Sequence, residues 1–304
     1  MPTATAKLPK NRLAAKNTRP FFILETRDAS MFLGKDTRIM GIINVTPDSF
    51  SGDGLLKNSR QNLPEKILLK AKKLIAEGAD ILDIGGESSR PGAEKATAQE
   101  EIARVIPAIR LLAGQVKVPL SVDTYKEIVA RHALDAGALI VNNIMGSKIS
   151  RNFLKMIKRY NAAIVLMHIR GTPKTMQRRA HYQNLIAEII NELRNSLEKC
   201  FEIGVKSDKI IIDPGIGFGK TTEQNLEIIR RLEEFKILNQ PILIGTSRKS
   251  FIGKVLNHEA GDRLFGTAAT LSASILKGAH ILRVHDVKEA KDVAQMTDAI
   301  LNPV

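Results

Sequence analysis

Carboxylates inside apolar sequence are the first residues to question, because a charge drawn into a core is costly unless hydrogen-bond donors or cations go with it. Asp83, Asp123 and Asp213 each stand towards the end of a short run of apolar residues, in "ADILDIGG", "PLSVDT" and "KIIIDPG". Further apolar runs end in Asn44, Asn142, His168, Ser247 with Arg248 and Lys249, and Arg283 with His285, while Glu87 follows Asp83. One such residue alone reads as a strand-end cap or an internal ion pair. Repetition at the same place in run after run points to a shared polar site. The stretch "DPGIGFGKT" (213–221) raises phosphate chemistry as well, with three glycines and a Lys-Thr pair. A phosphate-binding loop would need glycine where Pro214 stands, and the third glycine of a dinucleotide fingerprint would have to fall one residue beyond Gly219. The glycines are therefore assigned to turning the chain out of a strand, with Asp213 as the chemical group and Phe218 beside it on the rim.

The elements that position these residues follow from periodicity. Apolar, β-branched runs occupy 38–45, 79–86, 119–124, 138–144, 162–168, 209–215, 241–248 and 279–286, the pattern of strands buried on both faces. Between them lie segments of helical period. In "LPEKILLKAKKLIAEG" the residues Ile67, Leu68, Ala71, Leu74 and Ile75 share a face that stops at Gly78. "HYQNLIAEIINELRNSLEKCFEIG" ends at Gly204, "TTEQNLEIIRRLEEF" opens on a capping threonine with Glu223 early in the helix, and "DRLFGTAATLSASILKG" is rich in small residues. Eight strands alternating with helices predict an α/β chain folded as a (β/α)8 TIM barrel, with a doubly wound open sheet as the alternative. In the barrel all the polar strand ends meet on one rim.

Composition narrows the classes. The chain has 304 residues, 43% of them hydrophobic, enough for a sizeable core, and no apolar run nears the roughly 18 residues of a membrane span. Cys200 is the single cysteine, which excludes a disulfide framework and suits a reducing, cytoplasmic setting. Net charge is +14, but its lysines and arginines are scattered, aromatic content is 4% and tryptophan is absent. That argues against nucleic acid and favours attraction of anionic small substrates. Residues 1–20 carry basic side chains, no acidic ones and no apolar stretch, so they are expected to form a disordered basic leader (a transit peptide being the alternative) ahead of a single barrel domain over 21–304.

Seven segments in order, "GIINVTPDSFSGDG", "DIGGESSRPGA", "SVDT", "GTPKTMQ", "DPGIGFGK", "GTSRKSFIG" and "RVHDV", give a chain that resembles the dihydropteroate synthase family of pterin-binding barrels from about residue 38 to 287. The resemblance implies condensation of 6-hydroxymethyl-7,8-dihydropterin diphosphate with p-aminobenzoate, releasing pyrophosphate, in folate biosynthesis. It implies that Asp123, Asn142, Asp213 and Lys249 bind the pterin, with Asp123, Asp213 and Lys249 also serving the chemistry. Asn44, Ser89, Arg90, Arg283 and His285 would bind the pyrophosphate, and Asn44 would ligate a Mg2+ cofactor. Thr46, Pro47 and Asp48 in one mobile loop, Ser89, Arg90 and Pro91 in a second, and Phe218, Lys249 and Ser250 would form the p-aminobenzoate pocket. A homodimer is expected from the resemblance and from the small-residue face "GTAATLSAS".

Three positions depart from the family pattern: Ser89 for a frequent threonine, Asn143 for a common aspartate, and Arg170 for a usual glutamine. His168 is expected to make a structural hydrogen bond, His132, His181, His258 and His280 to be surface or packing residues, and Cys200 to be buried in a helix. Two rival functions are a pterin-dependent methyltransferase on the same barrel and a non-catalytic binding protein.

Overall fold

A computed structural model describes residues 19–46, 63–87, 96–172, 175, 176, 180–259 and 261–302. An antiparallel pair that periodicity did not reveal comes first, β1 (Phe22–Glu25) and β2 (Ser30–Leu33), each too short for a readable alternation. The predicted strands follow as β3 (Arg38–Asn44), β4 (Ile81–Gly85), β5 (Leu120–Asp123), β6 (Ile140–Asn143), β7 (Ala163–Met167), β8 (Ile210–Asp213), β9 (Leu243–Ile244) and β10 (Ile281–Val284). They pair in parallel in the order β8-β7-β6-β5-β4-β3-β10-β9. The Ile212 N–H donates to the Pro241 carbonyl at 3.0 Å and Ile212 bridges Ile242 in parallel, which joins β8 to the segment leading into β9. That seam makes the sheet a cylinder, so the (β/α)8 expectation holds against the open sheet.

Side-chain alternation along each strand divides the interior in two. Ile39, Leu82, Val122, Val141, Leu166 and Ile212 pack outwards against helices. Met40, Ile81, Ile140, Val165, Ile211 and Ile281 fill the cylinder, together with Leu24 and Leu33 of the β1–β2 pair. The hairpin therefore plugs the bottom of the barrel. It is pinned by Arg19, whose Nη1 donates to Thr37 Oγ1 at 2.6 Å and to the Ala279 carbonyl at 2.9 Å and whose Nη2 pairs with Asp298. Arg19 and Pro20, assigned to the leader by composition, thus belong to the folded body; residues 1–18 lie outside the described residues. His280 completes the plug. Its Nδ1 accepts from the Ile242 N–H at 3.1 Å, which leaves Nε2 to donate to the Pro20 carbonyl at 3.1 Å.

The helices follow their sequence signals. In α1 (Leu63–Ala76) Ile67, Ala71 and Leu74 are buried, one turn apart, and Gly78 leaves the helix with φ +103°. Then come α2 (Ala98–Ala113), α3 (Glu127–Asp135), α4 (Arg151–Arg159) and α5 (Leu185–Ile203), which stops at a left-handed Gly204. α6 (Thr222–Arg230) is capped by Thr221 as expected, but Gln224, not Glu223, returns the reciprocal hydrogen bond of the capping box. α7 (Ser250–Leu256), α8 (Leu264–Leu276) and α9 (Val287–Leu301) finish the ring. Cys200 is buried in α5, where desolvation pushes its thiol up to about 12.

Candidate functional site

Parallel register sets the geometry of the mouth. Asn44 is level with Gly85, Gly85 with Asp123, and Asp123 with Asn142, so one row crosses the ends of four neighbouring strands. Gly85 opens that row. A Cβ there would stand 3.5 Å from Asn44 Oδ1 and 3.8 Å from Asp123 Oδ2, closing the space between the two side chains. Asp83 points inwards on the same strand, one step deeper, and is fully buried.

Arg283 rises from β10 into this cluster. Its Nε donates to Asp83 Oδ2 and its Nη2 to Asp123 Oδ2, both at 2.6 Å, and Asn142 Nδ2 donates to Asp83 Oδ2 at 3.0 Å. Burial pushes Asp123 up to about 7, against the pull of Arg283 and Lys249 and with help from the neighbouring carboxylates Asp83 and Glu101. Asp213, at the end of β8, is pushed up to about 6 by burial; its Oδ1 accepts from the Gly215 N–H at 2.7 Å, which pulls the other way. Lys249 precedes α7. Burial and Arg283 bring its ammonium down to about 8, and Nζ lies 4.2 Å from the centre of the Phe218 ring. Phe218 is itself buried among Ile144, Met167, Ile169 and Met176, an apolar wall beside the acceptors rather than an exposed rim residue.

The structure thus brings together Asp123, Asn142, Arg283 and, through electrostatics, Asp213 and Lys249. His285 joins them differently from a cation. Burial and the Arg283 and Arg248 charges hold it down at about 3, and its Nδ1 lies 3.1 Å from Ser247 Oγ, so it offers a neutral ring to an anion. The Asn44 side chain stands at the rim with no hydrogen bond among the described residues, and Thr46 opens the first loop. Ser250 is exposed in the first turn of α7. Pro47, Asp48, Ser89, Arg90 and Pro91 lie outside the described residues.

Two buried charges were not given a role from sequence. Asp83 carried a signal, its place at a strand end, but nothing local distinguishes a carboxylate that binds from one that braces. Lys220, in the apparent phosphate cradle, turns inward instead. Its Nζ donates to the carbonyls of Gly215 at 2.9 Å and Phe218 at 3.0 Å and to His168 Nδ1 at 3.1 Å, so its donors are committed to its own loop. His168 is fully buried, as a structural hydrogen bond requires, with Nε2 3.3 Å from Glu192 Oε2. Arg170 extends this network to Glu188 and Glu192 at 2.7 and 3.0 Å and stacks on Tyr182. Asn143, the other described departure, uses Oδ1 to accept from the Met145 N–H at 2.8 Å, a turn contact that an amide makes as well as an aspartate.

Comparison with known proteins agrees with this geometry. Residues 40–285 match the family described as pterin binding enzyme. The chain is 44% identical to the dihydropteroate synthase of Bacillus subtilis over 280 residues, covering 92% of this chain and 94% of that one. It superposes with a TM-score of 0.82 and 45% identity on the dihydropteroate synthase of Clostridium difficile solved in the presence of pteroic acid, covering 88% of this chain and 98% of the other. The Xanthomonas albilineans dihydropteroate synthase solved with 4-aminobenzoic acid gives a TM-score of 0.81 at 37% identity, covering 90% and 96%.

Proposed function

The chain belongs to the pterin-binding enzyme family, and from that premise we infer that it is a dihydropteroate synthase. It condenses 6-hydroxymethyl-7,8-dihydropterin diphosphate with p-aminobenzoate to give 7,8-dihydropteroate and pyrophosphate, a step of folate biosynthesis. The observation that carries this reading is the cluster in which Asp123 and Asn142 share a row and meet the Arg283 guanidinium at the barrel mouth.

Acceptor oxygens on Asp123, Asn142 and Asp213 suit the adjacent N–H and amino groups of a pterin edge, and charge-assisted hydrogen bonds of this kind contribute about 1.5–3 kcal/mol each. The bond from the pterin methylene to the diphosphate oxygen breaks with its electron pair going to the leaving group. The carboxylates of Asp123 and Asp213 then face the cation that develops on the ring, the reverse of an oxyanion hole. The aryl amine supplies the pair that forms the new carbon–nitrogen bond and loses a proton to solvent. Arg283, Arg90, Ser89 and neutral His285 hold the departing diphosphate in this reading, Arg90 through its planar fork and Arg283 through the donors that Asp83 and Asp123 leave over. The apolar wall around Phe218 packs against the benzoate ring, with Lys249 above it and Ser250 nearby. The loops of Thr46, Pro47 and Asp48 and of Ser89, Arg90 and Pro91 complete that pocket and keep water from the cation.

Magnesium belongs to the same proposal. No group of three His, Cys, Asp or Glu side chains fit to hold a metal exists among the described residues, and Asn44 offers a single uncommitted amide oxygen. That donor set fits a hard cation which takes its other ligands from phosphate and water. Bound beside Asn44, Mg2+ would supply charge that neutralises the diphosphate.

Two wider statements complete the reading. The protein works as a homodimer, supported by the exposed apolar side chains of Phe265 and Leu276 on α8 and of Met296 and Ile300 on α9, two helices that pack against each other. A cytoplasmic setting is supported by the buried, unpaired Cys200; among the described residues no helix is long and apolar enough to cross a membrane. Pyrophosphate release measured with both substrates tests the activity. Release that requires p-aminobenzoate is expected, and the absence of any p-aminobenzoate-dependent release would favour the methyltransferase instead. Sedimentation at micromolar concentration should give a dimer, and a monomer there would refute that part.

A further inference from the structure

Asp83 lies one inward step beneath the row that holds Asp123, and none of its surface reaches solvent. One of its oxygens does two jobs: Oδ2 accepts from Arg283 Nε at 2.6 Å and from Asn142 Nδ2 at 3.0 Å. We propose that Asp83 is the positioning residue of the pterin pocket, fixing which face of the Asn142 amide meets the ring and holding Arg283 between two carboxylates. This inference rests on the pterin reading of the site.

The chemistry of the donor count supports it. A carboxylate already engaged with a guanidinium has only acceptors to offer, so the amide beside it must turn its NH2 towards it. The orientation of Asn142 is thereby decided by its neighbour. With Nδ2 turned down to Asp83, Asn142 has its Oδ1 left to accept from a ligand at the mouth. Asp123 and Asp213 are acceptors too. The pocket therefore selects a flat ring whose edge carries several adjacent N–H groups, and Asp83 is the reason that Asn142 joins this set. Asp83 Oδ1 is buried without a partner among the described residues, as is Ser121 Oγ, the residue level with it on β5. Unpaired polar atoms in a barrel interior need a partner, and a water or a ring N–H at this depth supplies one.

The second arm is electrostatic. Arg283 links Asp83 to Asp123, and the groups that act on Asp123 are Arg283, Asp83, Glu101 and Lys249. Removing the charge of Asp83 removes a carboxylate that opposes ionisation of Asp123 and leaves Arg283 to serve Asp123 alone. Both changes favour ionised Asp123 at lower pH.

The test is calorimetric binding of 6-hydroxymethylpterin, without turnover, to the full chain and to Asp83→Asn across pH 5.5 to 8.5 (about three pH units, spanning the ordinary histidine range). The variant should bind at least about tenfold more weakly at pH 8, in line with the loss of a charge-assisted contact. Its acid limb should also lie at lower pH than that of the native chain. Unchanged affinity, or weaker binding with an unmoved limb, would overturn the proposal, since a purely structural role predicts no shift. Should Asp83→Asn fail to melt cooperatively, Asn142→Asp asks the same question from the other side. A carboxylate placed against Asp83 must share a proton with it, so its affinity relative to the native chain should fall steeply between pH 6 and 8 (about two units). A flat ratio would overturn the proposal. Failure of the synthase reading shows elsewhere, as native protein that releases no pyrophosphate in the presence of p-aminobenzoate.

Discussion

Lys249 carries its charge at a cost, since burial and Arg283 disfavour the ammonium and only Asp213 and Asp123 support it. With Asp213 pushed up to about 6, Asp123 to about 7 and Lys249 down to about 8, the proposed roles require two ionised carboxylates and a protonated lysine. The sign on each side is set by those roles. Lowering the pH protonates the acceptors, and raising it neutralises the lysine. kcat/KM should therefore rise through pH 6 to 7 and fall above about 8. Lys249→Met should lower kcat/KM about 100-fold, the usual scale for one lost electrostatic contact, and abolish the alkaline fall. Initial rates across pH check both statements, and an alkaline limb that survives in the variant would assign it to another group. The carboxylates and the lysine were legible in sequence because each interrupts or ends an apolar run. The neutrality of His285 was not, because it follows from enclosure beside Arg283 and Arg248.

At the scale of elements, the turn after β8 connects the proposed role of Asp213 to packing. Gly215 has φ +74°, and a Cβ there would stand 1.9 Å from the His168 carbonyl oxygen, so any side chain forces the turn away from β7. Gly215→Ala should free Asp213 from the Gly215 N–H, lowering both the melting temperature and kcat/KM. A variant with native melting and native rates would show that the turn does not position Asp213. Further along the same segment, Thr221→Ala removes only a helix cap. It should cost about 1 kcal/mol in urea unfolding and leave pH dependence untouched. The sequence reading placed a cap at this helix and glycines at this turn, but gave Lys220 no role. Nothing local distinguishes a lysine that reaches solvent from one that folds back onto the carbonyls of Gly215 and Phe218.

For the whole molecule, chemistry gathers at the C-terminal mouth while stability is invested in the opposite end. The β1–β2 plug, His280 and Arg19 close the bottom, and the Arg19 and Asp298 side chains are nearly buried at 3% and 12% exposure. Removing one partner of such a pair leaves the other without compensation. Arg19→Met should cost about 3 kcal/mol in guanidinium unfolding and keep kcat/KM within about twofold, because barrel active sites lie at the other face. A large loss of rate at unchanged stability would show that the two ends are coupled.

Local sequence determined the number of barrel strands, their order, the helices between them and the polar residues on which each strand ends, because a buried strand needs an apolar run and a mouth needs polar termini. It also determined the family, through long motifs in order. Only the tertiary structure decided the partners: Arg283 with Asp83 across 200 residues, Arg19 with the Ala279 carbonyl across 260, Lys220 with His168 across 52. Periodicity states which way a side chain leaves its own backbone. Whether an opposite charge waits there depends on how the cylinder closes, and that is set by all the strands together.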